Sequence, residues 1–352
     1  MPMTKRRKSY LKKIAVMIAA EAAMLLLCSC GNSARKAQIE SISEKYAVPV
    51  EKQLIVYTSH KEEVYLPVIR EFEIRTGICV EIHAGGTAEM FAKVEEGAGE
   101  GACDIMFGGG IESYEAEKDL FMPYTAADRD LLDSNYVDPD NYWTPFTELP
   151  IVFIYNNKLV AKNDVPKTWS ELLDDTWKGQ IAFADPANSG TSYTILSTME
   201  QVLDMEPKEL VEKFYGQLDG IVLPSSGQVI PQVSGGKSLI GITLEETARK
   251  AMAQGADISF VYPEDGTSCV PDGCAMVKNA PHSYNAGRFI DFIVGYDTQK
   301  FAAENFYRRS VRSDISLSSD GQIKQIDFDL KKSAREEEEI FSLWNALVQE
   351  GG

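Results

Sequence analysis

The feature that most limits the fold is a repeated alternation. A short apolar run ends in Ser or Gly, and a segment with helical spacing follows it. "LIVYTS", "ICVEIHAGG" and "CDIMFGGG" are the first three runs, followed in turn by "EEVYLPVIREFEIRTG", "TAEMFAKVEEGA" and "IESYEAEKDL". Strands alternating with helices predict a parallel sheet with helices on both faces. A second cycle opens after "ELPIVFIYNNKLV" and contains "GQIAFADP", "GIVLPSS", "SLIGIT" and "DISFVYP". The class is therefore α/β, with two lobes rather than one sheet. The run "LPIVFIYN" reads as a crossover strand between them. After "YPEDGTSCVPDGCAMVKN" the chain returns to the first lobe through helices such as "SYNAGRFIDFIVG".

In open α/β sheets, ligands sit beyond the carboxyl ends of the strands. Hydroxyls and glycines cluster at those ends here. Ser59 and His60 follow the first strand, Gly85 to Thr87 the second, and Gly108 to Gly110 the third, with Ser225 and Ser226 in the other lobe. The richest corner is "ADPANSGTSYT", after the strand "QIAF" and before the amphipathic "YTILSTMEQVL". A helix start leaves backbone N–H groups unpaired at its positive end, which suits an anion. Ser189 equally fits an ordinary N-cap, since Ser and Thr are the usual capping residues. Several such corners facing one cleft favour the anion.

The N-terminus sets the location. "MPMTKRRKSYLKK" is a basic n-region, and "IAVMIAAEAAMLLLCSC" is an apolar run ending in small residues and cysteine, interrupted by Glu21. This is the pattern of a secretory signal, too short for a spanning helix. "LCSCGNS" resembles the lipobox of bacterial lipoproteins, with Leu27 at −3, Ser29 at −1 and Cys30 as the lipidated residue. Residues 1–29 are then the signal peptide, and residues 30–52 a polar tether. Residues 1–29 hold six Lys or Arg and one acid, so the formal −18 becomes −23 in the mature chain. Such an acidic body is a poor partner for nucleic acid or an anionic membrane surface.

Beyond the lipobox pair are Cys79, Cys103, Cys269 and Cys274. Outside the cell membrane disulfides persist. Cys269 and Cys274 flank a Pro-Asp-Gly turn, and both a bridge across it and two free thiols fit the sequence. Neither pair has the spacing of a zinc site, and no cofactor is expected. An enzyme would need a nucleophile, a base and an orienting group. The three histidines, His60, His83 and His282, are scattered, and no Gly-x-Ser-x-Gly, Walker or His-Glu-x-x-His motif is present. A binding protein is expected rather than an enzyme or an adhesin.

Together the lipobox, "VYTSHKE", "AGGTAEM", "GGGIESYEA", "YNNKLV", "PKTWSELLDDTWKGQIAFADPANSGTSYT", "GITLEETARKAMAQGADISFVYPEDGTSCVPDGCAMVKNA" and "RSVRSD" resemble solute-binding lipoproteins of bacterial ABC importers. The similarity is to the ferric-binding and hexose-phosphate-binding type II periplasmic binding proteins, from about residue 53 to 315. It implies two lobes joined by two crossover strands and closing on a ligand by hinge motion. The lobes would be 53–153, 154–265 and a return over 266–352. The chain would be lipid-anchored outside the cytoplasmic membrane, or periplasmic, with a small anionic solute and a membrane permease as partners. The ferric branch holds its metal with adjacent tyrosines, whereas this chain reads Leu244-Glu245-Glu246 at that place, which points away from a metal site. The phosphate branch uses amides and hydroxyls for the phosphoryl group and acids for sugar hydroxyls. Carried onto this chain, the grip is Ser59, His60, Thr87, Gly109, Ser189, Gly190, Thr191 and Ser192, with Glu245 and Glu264 as acceptors. His60 and Lys61 would add charge near the mouth.

Overall fold

The computed structural model describes residues 47–97, 103–316 and 322–351. The signal segment and Cys30 lie outside the described residues. In chain order the strands are β1 (Gln53–Thr58), β2 (Cys79–Ala84), β3 (Ile105–Gly110), β4 (Phe121–Met122), β5 (Thr144–Pro145) and β6 (Thr147–Glu148). The second lobe adds β7 (Ile151–Asn156), β8 (Ile181–Ala184), β9 (Val222–Leu223), β10 (Ile240–Leu244) and β11 (Ile258–Val261). Then come β12 (Asp272–Val277) and β13 (Arg309–Ser310). One sheet runs β2-β1-β3-β12-β4, with β5 on β12, and the other β11-β7-β10-β8-β9.

Strand periodicity explains why each sheet has two cores. In β1, Leu54 and Val56 pack with Phe72, Ile105 and Phe107, while Ile55 and Tyr57 join Met90, Phe91 and Met106 on the other face. In β7, Ile151, Phe153 and Tyr155 meet Trp169 and Phe183, while Val152 and Ile154 meet Ala182 and Val233. All six β7 residues are buried, so the strand reads as a continuous apolar run.

The expected all-parallel sheets are mixed. β1, β2 and β3 are parallel, as are β8, β9 and β10, but β12 runs antiparallel to β3 and β7 antiparallel to β10 and β11. The reason lies in the connections: parallel neighbours need a long crossover, whereas the chain enters β7 and β12 directly from the other lobe.

Those two passages lie side by side. Gly273 pairs Pro145 and Cys274 pairs Thr144, the Phe146 N–H donates to the Asp272 carbonyl at 2.8 Å, and Thr267 Oγ1 donates to the Ile151 carbonyl at 2.9 Å. A third segment, β13, pairs with β6. The last helix, Leu330–Gly351, then places Ile340 and Trp344 in the second lobe's core.

The cysteine expectation is corrected in part. Cys79, Cys103, Cys269 and Cys274 are all free. Cys269 belongs to one core of the first sheet and Cys274 to the opposite one, and the Asp272-Gly273 stretch begins a strand rather than closing a tight turn. Burial pushes both thiols well above their ordinary range.

Candidate functional site

A cleft of about 610 Å³ lies between the sheets, lined from both. Four helices begin at it. From the first lobe come Glu62–Thr76, with Lys61 and Glu63 in the lining, and Thr87–Gly97, with Gly86 and Thr87. From the second come Gly190–Leu203, with Ser189, Gly190 and Thr191, and Glu245–Ala253, with Leu244 and Glu246. Helix N-termini carry partial positive charge and unpaired N–H groups.

The four ends are not equivalent. Two carry paired acids in the first turn, Glu62 with Glu63 and Glu245 with Glu246. The helix Gly190–Leu203 has no acid there, and Thr87–Gly97 has Glu89 alone, which pairs with Lys93 at 2.7 Å. The cleft is therefore polarised, with hydroxyls and amides at one end and carboxylates at the other.

At the hydroxyl end, two glycines permit the close packing. Gly108 and Gly109 have φ of +106° and +86°, a region L side chains rarely adopt. A Cβ at Gly109 would stand 2.8 Å from Thr87 Cγ2, and one at Gly108 2.9 Å from Ser59 Oγ. Across the cleft, a Cβ at Gly190 would be 3.2 Å from Thr87 Oγ1, so the two lobes touch here.

The structure brings Ser59, His60, Thr87, Gly109, Ser189, Gly190 and Thr191 to the cleft, and leaves three expected residues out of the lining. Ser192 is buried at the next helical position, where its N–H donates to Ser189 Oγ at 3.3 Å; Ser189 is thus a true N-cap as well as a lining residue. Glu245 is 2% exposed and accepts hydrogen bonds from Arg309 Nε at 2.8 Å, Arg249 Nε at 2.6 Å and Tyr262 Oη at 2.6 Å. Burial raises its pKa, but the Arg309 and Tyr262 bonds outweigh this and hold it below the usual range. Glu264 lies on the surface, its side chain 66% exposed and 3.6 Å from Lys167.

His60 lines the cleft but supplies no charge at neutral pH. Burial pushes its pKa down to about 4, against the pull of Asp272, with Arg308 adding to the fall. Its ring sits edge-on to Phe107 and Phe146, with Nε2 3.3 Å from Asp272 Oδ2. Asp272 is tied to Arg308 and accepts from Thr147 Oγ1 at 2.8 Å, which joins the cleft floor to the interlobe segments.

Sequence reasoning missed Glu246, Lys250, Arg308 and Asp272. Glu246 accepts from Thr247 Oγ1 at 2.8 Å and lies 4.0 Å from Arg308 Nη2. One residue along a helix turns a side chain by about 100°, so "LEE" alone did not tell which acid faces the ligand. Once Glu246 is chosen, Lys250 follows at i+4 on the same face. Lys250 Nζ reaches across to Glu63 Oε1 at 2.6 Å. The basic lining residues Lys61, Lys250 and Arg308 are matched in number by Glu63, Glu246 and Asp272, so the lining is nearly neutral within a strongly acidic chain. Among the described residues no group of three His, Cys, Asp or Glu is placed to hold a metal ion, and Tyr307 is the one phenol among the lining residues.

Comparison with known proteins gives the same architecture. Over residues 104–333 the chain matches the family described as bacterial extracellular solute-binding protein. Iron uptake protein A1 of Synechocystis sp. is 25% identical over 334 residues, covering 87% of this chain and 88% of its own. A putative 2-aminoethylphosphonate-binding periplasmic protein of Salmonella paratyphi A is 22% identical, covering 71% and 74%. The periplasmic binding protein AfuA from Actinobacillus pleuropneumoniae, solved with fructose-6-phosphate, superposes with a TM-score of 0.75 at 23% identity, covering 83% of this chain and 97% of that one. The two-lobed fold is that of type II periplasmic binding proteins, and with the family matched over most of its length, this chain belongs to the bacterial extracellular solute-binding proteins.

Proposed function

We propose that this protein captures a small phosphorylated solute, a sugar phosphate or related organophosphate, and delivers it to the membrane permease of an ABC importer. One observation carries the reading. The N-termini of Thr87–Gly97 and Gly190–Leu203 meet from opposite lobes, within contact distance at Thr87 and Gly190. Two positive helix ends facing each other repel, and an anion between them turns repulsion into attraction. Ser59, Thr87, Thr191 and the first amides of Gly190–Leu203 would hold the phosphoryl oxygens. Glu246, in place of the expected Glu245, would accept hydrogen bonds from hydroxyls at the other end of the solute. The lobes would be residues 53–153 with the return from 266 up to the last helix, closing on 154–265 and the last helix, whose Ile340 and Trp344 lie in the second lobe's core.

A phosphonate-binding relative and a neighbour holding a sugar phosphate support the phosphoryl class. The name of the Synechocystis relative favours iron instead. A ferric site would have to use Tyr307 with carboxylates, a donor set short of phenolates for hard Fe(III). Calorimetry with hexose phosphates, phosphonates, inorganic phosphate and ferric citrate separates the readings. Thr191→Val keeps the side chain's shape and removes its hydroxyl. It should weaken phosphoryl binding by roughly ten- to a hundredfold, the loss of a charge-assisted hydrogen bond of about 1.5–3 kcal/mol. Tight ferric binding with no response to any phosphoryl compound overturns the proposal. Lipidation of Cys30 would hold the body at the outer face of the membrane and near its permease.

A further inference from the structure

Behind the cleft floor, the two lobes enclose a carboxyl group. Glu112 stands on the short helix Ile111–Ala116 that follows β3, and it is 1% exposed. Its Oε1 accepts Thr194 Oγ1 from the helix Gly190–Leu203, while its Oε2 is buried with no hydrogen-bond partner. The last helix, Leu330–Gly351, packs along Ile111–Ala116 and turns Glu337 towards Glu112. Gly190–Leu203 and the last helix form one body. Tyr193 Oη donates to the Ser333 carbonyl, Lys332 pairs with Glu200, and Ile340 and Trp344 share a core with Leu196 and Met199. Glu112 thus belongs to the first lobe, and Thr194 and Glu337 to the second.

The surrounding charges offer Glu112 little compensation. Glu117 lies just beyond its own helix, Tyr193 and Glu200 on Gly190–Leu203, and Lys332 and Glu336 on the last helix. Asp272, on β12, is engaged by Arg308. Lys332, on the last helix, is held by Glu200.

We propose that Glu112, clasped by Thr194 and Glu337, is a proton-operated catch between the lobes: closing the cleft takes up a proton, and opening releases one. In the closed arrangement burial pushes Glu112 up to about 7, with the Thr194 bond pulling it back, and pushes Glu337 up to about 8. Opening carries Thr194 and Glu337 away and admits water, returning Glu112 towards its ordinary 4.5. The pKa is higher in the closed state, so protonation favours closure. The gain is fully present below about 4.5 and is lost as pH rises through about 7. The catch rests on hinge closure and not on the class of solute, so it is tested without any solute.

The experiment places one dye on each lobe of the ligand-free mature protein and reads energy transfer from pH 7.5 to 5.5. Between those two values Glu112 alone should raise the closed-to-open ratio roughly twentyfold, and proton uptake by Glu337 would add to that rise. Glu112→Gln, which mimics the protonated group, should stay closed across this range. Thr194→Val removes a bond that favours the ionised form, so its midpoint should move to higher pH. A flat wild-type profile, a wild-type-like profile in Glu112→Gln, or a Thr194→Val midpoint that stays put or falls would each overturn the catch. Should Glu112→Gln fail to fold, the Thr194→Val midpoint decides alone.

Discussion

Gly190→Ala tests whether the cleft works by bringing two helix ends together. Gly190 is the first residue of its helix, capped by Ser189, and its φ is not in the left-handed region, so alanine fits the local backbone. Within a helix alanine is favoured over glycine by up to about 1 kcal/mol. The added Cβ would stand 3.2 Å from Thr87 Oγ1, 3.5 Å from its Cβ and 3.7 Å from its Cγ2. The first distance is a few tenths of an ångström inside ordinary contact. Thr87 has little room to retreat, because its methyl group already packs over Gly109. The contact exists only between lobes, so parting them relieves it. Overpacking costs about 1–3 kcal/mol, and one tight contact falls near the lower end, about tenfold in Kd. Calorimetry with the best-binding phosphoryl compound should show that loss, while the Tm of the ligand-free protein stays level or rises. Gly86→Ala is the control: it lines the same cleft, yet a Cβ there meets nothing within 4 Å. Unchanged affinity in Gly190→Ala, or a Tm that falls with it, would refute the reasoning.

Two further expectations concern residues away from the grip. Glu245→Gln should lower stability by about 3 kcal/mol, since it removes the buried negative charge that Arg309 and Arg249 both engage, while the Kd for the phosphoryl solute stays near wild type. Because the Glu245 carboxyl is held low in the folded state, its contribution is present above about 4.5 and disappears as pH falls through the depressed value. Chemical denaturation should therefore show the deficit at pH 7 shrinking in acid. Cys30→Ala should release the protein into the medium or leave the precursor uncleaved, and intact mass with membrane retention unchanged from wild type would count against lipidation.

Much of the architecture was legible because it depends on local chemistry. The alternation in β1, the all-apolar β7 and the hydroxyl-rich start of Gly190–Leu203 are statements about which faces are buried and which backbone groups go unpaired; a linear pattern carries both. The chain's own residues also determined that its polar loops gather at strand ends. Strand direction was not local. Whether β7 runs with or against β10 depends on the route by which the chain reaches the sheet, and only the assembled lobes decide that. The same limit applied to Glu245 and Glu246, whose roles differ by one helical step and were assigned by Arg309, a residue 64 positions away. Cys269 and Cys274 looked close along the chain, yet a strand between two cores sends them to opposite faces. Glu112 carried no signal at all in the sequence. Its environment is made by three helices from two lobes, and a carboxyl group's affinity for a proton is set by the water and charge that folding removes or brings near.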